Sequence, residues 1–253
     1  MPRDTNEHLS RRLALCETTS AWRPAKAVLH KHGKVRIPMS DKDAEFWDKA
    51  APSYAASAIA DMAGFETTLK RTLELLPPEG RVLELGCGTG TIALRLANAS
   101  QTYLGTDISA RMIAIANEKL AAPANTGLKN RLSFRQGTAG SLAAEKCSYG
   151  AVLGFSYLHL AGGLQETLGY IRQLLVPGGL FISKTPCVGD MNPFVGLAIP
   201  LMRMIGKAPL SVASFSSVEL EDAIREAGFD ILVIERHGSK KKDIRPFIVA
   251  HAS

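Results

Sequence analysis

Val82-Leu83-Glu84-Leu85-Gly86-Cys87-Gly88-Thr89-Gly90 is the stretch on which the reading of this chain turns. Its apolar start, Arg81–Leu85, predicts a short buried strand, and Ile92–Ala97 beyond the glycines predicts a helix. Glycines between them let the backbone turn sharply and leave no Cβ to hold a ligand away. The spacing is G-x-G-x-G, not the G-x-G-x-x-G of the usual dinucleotide turn. Thr102–Thr106 reads as the next strand and ends at Asp107, 21 residues after Gly86. A carboxylate at that strand end can accept both hydroxyls of a ribose. Glycine turn, strand–helix setting and acid together point to a cofactor that contains a nucleoside.

Outward from this stretch the texture alternates. Ser109 is placed to cap a helix on which Met112, Ile115, Ala116 and Leu120 share a face. Leu132–Gln136 and Ala151–Phe155 read as strands. Leu164, Leu168, Ile171 and Leu175 mark a helix stopped by Pro177-Gly178-Gly179, and Leu180–Ser183 is a fifth strand. Ser216 with Glu219 forms a capping box for a helix reaching Ala227. Asp230–Glu235 and Pro246–Ala250, joined only by a loop, predict an antiparallel hairpin. Upstream, Asp41 opens a helix that Pro52 should break, and Ala55–Met62 and Glu66–Leu76 predict two more. Strands alternating with helices imply a mostly parallel sheet covered on both faces.

Composition bounds the possibilities. Of 253 residues, 46% are hydrophobic and 21% charged, which suits a folded globular protein and excludes global disorder. The net charge of +6 is unevenly placed: residues 1–40 hold eight Lys/Arg and three Asp/Glu, so the remainder is close to neutral. That argues against nucleic acid as a partner of the main domain. Residues 1–40 read as a loose basic extension, and 41–253 as one domain. Cys16, Cys87, Cys147 and Cys187 show no CxxC spacing, so no metal site is predicted. With no signal-peptide pattern, a cytoplasmic location is the default expectation. Lys240-Lys241-Lys242 reads as a solvated hairpin tip.

The three motifs Val82–Gly90, Gly105-Thr106-Asp107-Ile108-Ser109 and Leu175-Val176-Pro177-Gly178-Gly179 resemble those of class I S-adenosylmethionine (SAM)-dependent methyltransferases. The resemblance runs from about Glu45 to the C-terminus, and its subgroup resembles small-molecule enzymes of quinone and lipid methylation. It implies an α/β three-layer sandwich with a seven-stranded, mostly parallel sheet, the last strand antiparallel, plus N-terminal helices. By the same resemblance Gly86, Gly88 and Gly90 approach the methionine part of SAM. Glu84 buttresses the loop or reaches the cofactor amine through water, Asp107 holds the ribose and Ile108 packs on the adenine. Thr138 and Ala139 follow the third strand, where the family often has an acid facing the adenine. Phe155 and His159 bracket the end of the fourth strand, where the family places methyl transfer. Tyr54 lies where N-terminal helices close over the cofactor. Cys87 is a small member of the loop with no signal for a reactive thiolate.

The acceptor is less legible. His159 has the intrinsic pKa range of a general base, or it is a packed histidine. The segment 191–209, rich in Met, Leu and Ile but interrupted by Pro193 and Pro200, reads either as a core helix or as an apolar lid over the acceptor. The expectation is a small, largely apolar, lipid-like acceptor. The alternatives are a quinone-lipid or phospholipid head-group methyltransferase in peripheral contact with a membrane, and a non-catalytic SAM-binding protein. No Asn-Pro-Pro-Tyr-type sequence follows the fourth strand, as a flipped base amine would require.

Overall fold

The computed structural model describes residues 40–191, 202–203, 208–239 and 243–252. The basic extension, most of segment 191–209, and Lys240 to Lys242 fall outside these residues.

Two helices, α1 (Asp41–Ala56) and α2 (Met62–Leu75), precede the sheet. Next come β1 (Arg81–Leu85), α3 (Ala93–Leu96), β2 (Thr102–Asp107), α4 (Ala110–Ala121), β3 (Leu132–Gln136) and α5 (Ala139–Ala144). β4 (Tyr149–Phe155), α6 (Leu164–Leu174), β5 (Leu175–Lys184), α7 (Ser217–Glu226), β6 (Phe229–Glu235) and β7 (Phe247–Ala252) complete the order. The seven strands lie in the order β3-β2-β1-β4-β5-β7-β6. β1 to β5 are parallel, and β7 runs antiparallel to both β5 and β6. This is the expected sheet with its reversed last strand.

Period-two alternation divides the sheet between two cores. Leu83, Leu85, Phe181, Ile248 and Ala250 face Leu142 of α5, Leu168 and Ile171 of α6 and Leu220 and Ile224 of α7. Val82, Tyr103, Leu153, Ile182, Phe247 and Val249 face Leu69 of α2, Leu96 of α3 and Ile113 and Ala116 of α4. The first connection from β1 goes to one side, to β2, and the chain later returns to β1's other side as β4. Strand order therefore reverses at β1, and a crevice opens at its carboxyl end.

Three expectations fail locally. No helix spans Ala55–Met62: α1 runs on to Ala56, and Asp61, whose side chain accepts from the Gly64 amide, starts α2 only at Met62. Pro52 does not break the first helix; α1 passes through it to Ala56. The ring removes an amide on an exposed face of the helix, where no buried carbonyl depends on it. Hydroxyls also tie the neighbouring carbonyls, with Ser53 Oγ donating to Ala50 O at 2.9 Å and Ser57 Oγ to Ser53 O at 2.8 Å. β5 also begins earlier than predicted, at Leu175. Pro177-Gly178-Gly179 sits inside it as an irregularity, the register stepping from Tyr149↔Leu175 to Ala151↔Leu180.

Candidate cofactor and acceptor site

The glycine loop lies at the reversal. Gly86, Gly88 and Gly90 have φ of +67°, +53° and +75°, the left-handed region that side chains disfavour. Space forbids a side chain as well: a Cβ on Gly86 would lie 2.8 Å from Tyr157 Cδ2, and on Gly90 2.7 Å from Phe134 Cζ. Gly88 is different. Its nearest neighbour would be Tyr54 Cε1 at 3.5 Å, so this part of the loop is open and roofed by a ring from α1. Tyr54 is 53% exposed, so it forms a lip over the loop rather than part of the core.

Asp107, at the end of β2, holds the loop. Its Oδ2 accepts from the Gly88 amide at 3.0 Å and its Oδ1 from the Ser109 amide at 2.9 Å. Each carboxylate oxygen has a further lone pair for a ligand hydroxyl. Burial raises the Asp107 pKa, against the pull of these amides. Glu84 is buried beneath the loop and accepts from Tyr103 Oη at 2.8 Å. Desolvation pushes its pKa up to about 7; the Tyr103 bond opposes this and the charge of Asp107 adds to it. Burial first, then Glu84 and Asp107, raise the Cys87 thiol well above its usual value, which leaves it protonated and inert. Where it lies against the loop the Tyr54 phenol is partly desolvated, and this, with the charges of Asp107 and then Glu84, raises its pKa.

Ile108 is buried beside Asp107, and its carbonyl accepts from Gln136 Nε2 at 2.7 Å. The next wall hangs on the Gly137 amide, which donates to the Asp107 carbonyl at 3.0 Å. Thr138 caps α5: its Oγ1 accepts from the Ser141 amide at 3.2 Å, leaving the hydroxyl hydrogen to give. Ala139 is buried in the core, so only its backbone is at the site's disposal. Tyr54, Glu84, Gly86, Cys87, Gly88 and Asp107 thus form one contiguous group, with Ile108, Thr138 and Ala139 at its flank.

Phe155 ends β4 and packs on the α2–α4 core. Ser156 follows with φ of +51°, exposed, its amide donating to the Lys184 carbonyl at 2.8 Å. Such backbone strain in a serine marks the turn where β4 meets the crevice. His159 lies in the short turn Leu158–Leu160, and its carbonyl accepts from the Ala213 amide at 2.7 Å. Among the described residues its Nδ1 is buried without a hydrogen-bond partner, and desolvation lowers its pKa to about 4. The imidazole is therefore neutral at neutral pH. No hydrogen bond joins His159 to the glycine loop among the described residues. His237, on the terminal hairpin, is committed elsewhere, with Nδ1 3.1 Å from Thr68 Oγ1 and Nε2 2.7 Å from Glu235 Oε2.

Several contributors escape sequence reasoning. Asp48 of α1 accepts from Ser109 Oγ at 2.5 Å and from the Arg111 amide at 2.9 Å, fastening α1 to the start of α4. Asp43, fully buried, accepts from the Leu210 and Ser211 amides at 2.8 and 3.1 Å. Lys119 Nζ donates to Thr89 Oγ1 at 2.8 Å, steadying the loop from behind. Only Tyr103 leaves a sequence signal, since a carboxylate on a buried strand needs a donor on the neighbouring one.

Residues 82–179 match the model of a methyltransferase domain. That stretch of the chain carries a methyltransferase domain. A ubiquinone biosynthesis O-methyltransferase of Cereibacter sphaeroides is 34% identical over 162 residues, which is 61% of this chain and 62% of that one. The chain thus spans about three-fifths of that curated relative. A magnesium protoporphyrin IX methyltransferase of Synechocystis, solved with bound S-adenosylhomocysteine (SAH), is similar at TM-score 0.61 and 17% identity, over 83% of this chain and 98% of that one. A 4+2 cyclase is similar at TM-score 0.62 and 21% identity, over 86% of this chain and 97% of that one. At such identities the structures share the fold alone, and the cyclase warns against reading chemistry from it. The residues present suit SAM as a cofactor. The open glycine at 88 leaves backbone bare for a ligand, Asp107 has lone pairs to spare, and Glu84 lies buried close to Asp107 with a proton it can give up.

Proposed function

We propose that the chain transfers the methyl group of SAM to a small, largely apolar acceptor bound at the carboxyl ends of β4 and β5. The observation that carries this reading is the joint placement of the glycine loop with Asp107 and of His159 with its unpartnered Nδ1, all on the carboxyl side of one sheet. SAM supplies an already activated methyl on a sulfonium, so orientation is most of what the protein must provide. Asp107 fixes the ribose, the loop backbone admits the methionine part, and Tyr54 covers the loop from α1. His159, neutral and with Nδ1 shielded from water, accepts a hydrogen bond from an acceptor hydroxyl. It takes that proton as the new bond to carbon forms. An imidazole of such low basicity accepts the proton late, when the oxygen has already passed its electrons to the methyl carbon.

Similarity to the ubiquinone-pathway enzyme favours oxygen on an aromatic ring as the methylated atom, and with it a quinone-lipid precursor presented at a membrane surface. Tyr54, Ile59 and Met62, all exposed at the junction of α1 and α2, give that second reading an apolar lip. Among the described residues no helix is long and apolar enough to cross a membrane. Incubation with methyl-labelled SAM and a metabolite extract, with and without a lipid fraction, tests both. Label in a water-soluble product supports the first, label in a lipid the second, and SAM binding without any labelled product would leave a non-catalytic SAM-binding protein.

A further inference from the structure

Glu84 is the least expected group in the cofactor site. It is 2% exposed and takes one side-chain hydrogen bond, from Tyr103. The titratable groups that face it are Tyr103 and Asp107 of β2, Cys87 of the loop and Tyr54 of α1, while Asp48 of α1 reaches Asp107 beside it. None of these is a cation, and no lysine, arginine or histidine among the described residues offsets the charge of Glu84. A buried carboxylate so placed is costly while the site holds only water.

SAM carries a sulfonium, an ammonium and a carboxylate, for a net positive charge; SAH has lost the sulfonium and is neutral overall. Taking SAM as the methyl donor of this site, we propose that Glu84 senses this difference, giving up a proton when SAM binds and holding it when SAH takes SAM's place. The proton passes to solvent and no bond other than O–H is broken. The free carboxyl is half protonated near neutral pH, because burial and the Asp107 charge raise its pKa to about 7. A cation in the site reverses the balance and brings the carboxylate back toward its ordinary range. Linkage fixes the sign: binding that releases a proton weakens as pH falls below the pKa of the free group. The site therefore prefers substrate over spent product more strongly on the alkaline side of neutrality than on the acid side.

Calorimetric titration of the full chain with SAM and with SAH tests this at about pH 6 and about pH 8, in buffers of different ionisation enthalpy. At the lower pH SAM should release roughly one proton and SAH a small fraction of one. The SAM Kd should weaken about ten-fold from pH 8 to pH 6, and the SAH Kd less than about two-fold. At about pH 6 the amino group of either ligand is fully protonated, so it adds nothing to the difference in proton release there. Glu84→Gln should abolish the proton release and the pH dependence together. Tyr103→Phe, which removes the bond holding the Glu84 pKa down, should move the break to higher pH, and it carries the test if the Gln variant does not fold. Equal proton counts for SAM and SAH, or release persisting in Glu84→Gln, would overturn the inference and leave the cofactor intact. A chain that gives no heat with SAM would overturn both.

Discussion

Replacing Asp107 with alanine puts a number on the cofactor site. The side chain makes two hydrogen bonds inside the protein, to the Gly88 and Ser109 amides. Bonds to a charged acceptor contribute about 1.5–3 kcal/mol each, but the loop is open at Gly88, where water replaces part of the loss. A stability decrease of about 2 kcal/mol is expected, which for a domain of this size lowers Tm by about 4–8 °C. Binding loses the ribose contact and the fixed position of Gly88. About 1.5–3 kcal/mol there corresponds to a SAM Kd raised about 10- to 150-fold. Asp107→Asn keeps one acceptor oxygen, so it should fall between wild type and Asp107→Ala in both quantities. Calorimetry for Kd and thermal melts for Tm, on the same preparations, separate the two effects. If Tm falls as expected while SAM affinity is unchanged, Asp107 is a loop brace and its assignment to the ribose is wrong.

Further expectations concern neighbouring parts. Gly90→Ala should cost at least about 2 kcal/mol, since its Cβ meets buried Phe134 and Ala116 at 2.7 and 3.0 Å and its φ is +75°; a melt within about 2 °C of wild type would contradict this. His159→Ala should lower turnover by about two to four orders of magnitude with SAM affinity kept, and normal turnover would remove it from catalysis. Two buried groups should shape acid stability in opposite directions. His159, with a folded pKa of about 4, loses stability as pH falls from about 6.5 toward 4; Glu84, with a folded pKa of about 7, loses it as pH rises from about 4.5 to 7. Relative to wild type, melts of His159→Ala should therefore improve toward acid pH and those of Glu84→Gln toward neutral pH; parallel curves would refute both. A chain begun at Met39 keeps the Ser40–Asp43 capping box and should bind SAM like the whole chain, which calorimetry checks.

What the sequence disclosed, it disclosed through short-range rules. Leu132–Gln136 was legible as a strand to the residue, and Ser109 and Ser216 as caps, because alternation and capping depend on neighbours a few positions apart. The glycine loop was legible because left-handed φ leaves few residue choices. Pro52 misled because propensity says nothing about a helix face turned to water. Asp48 and Ser109 are 61 positions apart, and Asp43 and Ser211 168, so no local pattern announces either pair. The orphaned Nδ1 of His159 is likewise a property of packing.

The place of β7 bears on how the molecule is made. Among the described strands this one comes after all the others in sequence, yet it lies between β5 and β6 and is buried along nearly its whole length. Five parallel strands can assemble as they leave the ribosome, but β6 has no place beside them until β7 arrives to join it to β5. Until residues through Ala252 are free of the exit tunnel, β5 presents an open edge in the middle of the future sheet, where stray strands can pair. Closure is then a single late event, and a chain cut short before Phe247 loses the join between two parts of its sheet rather than a fringe of it.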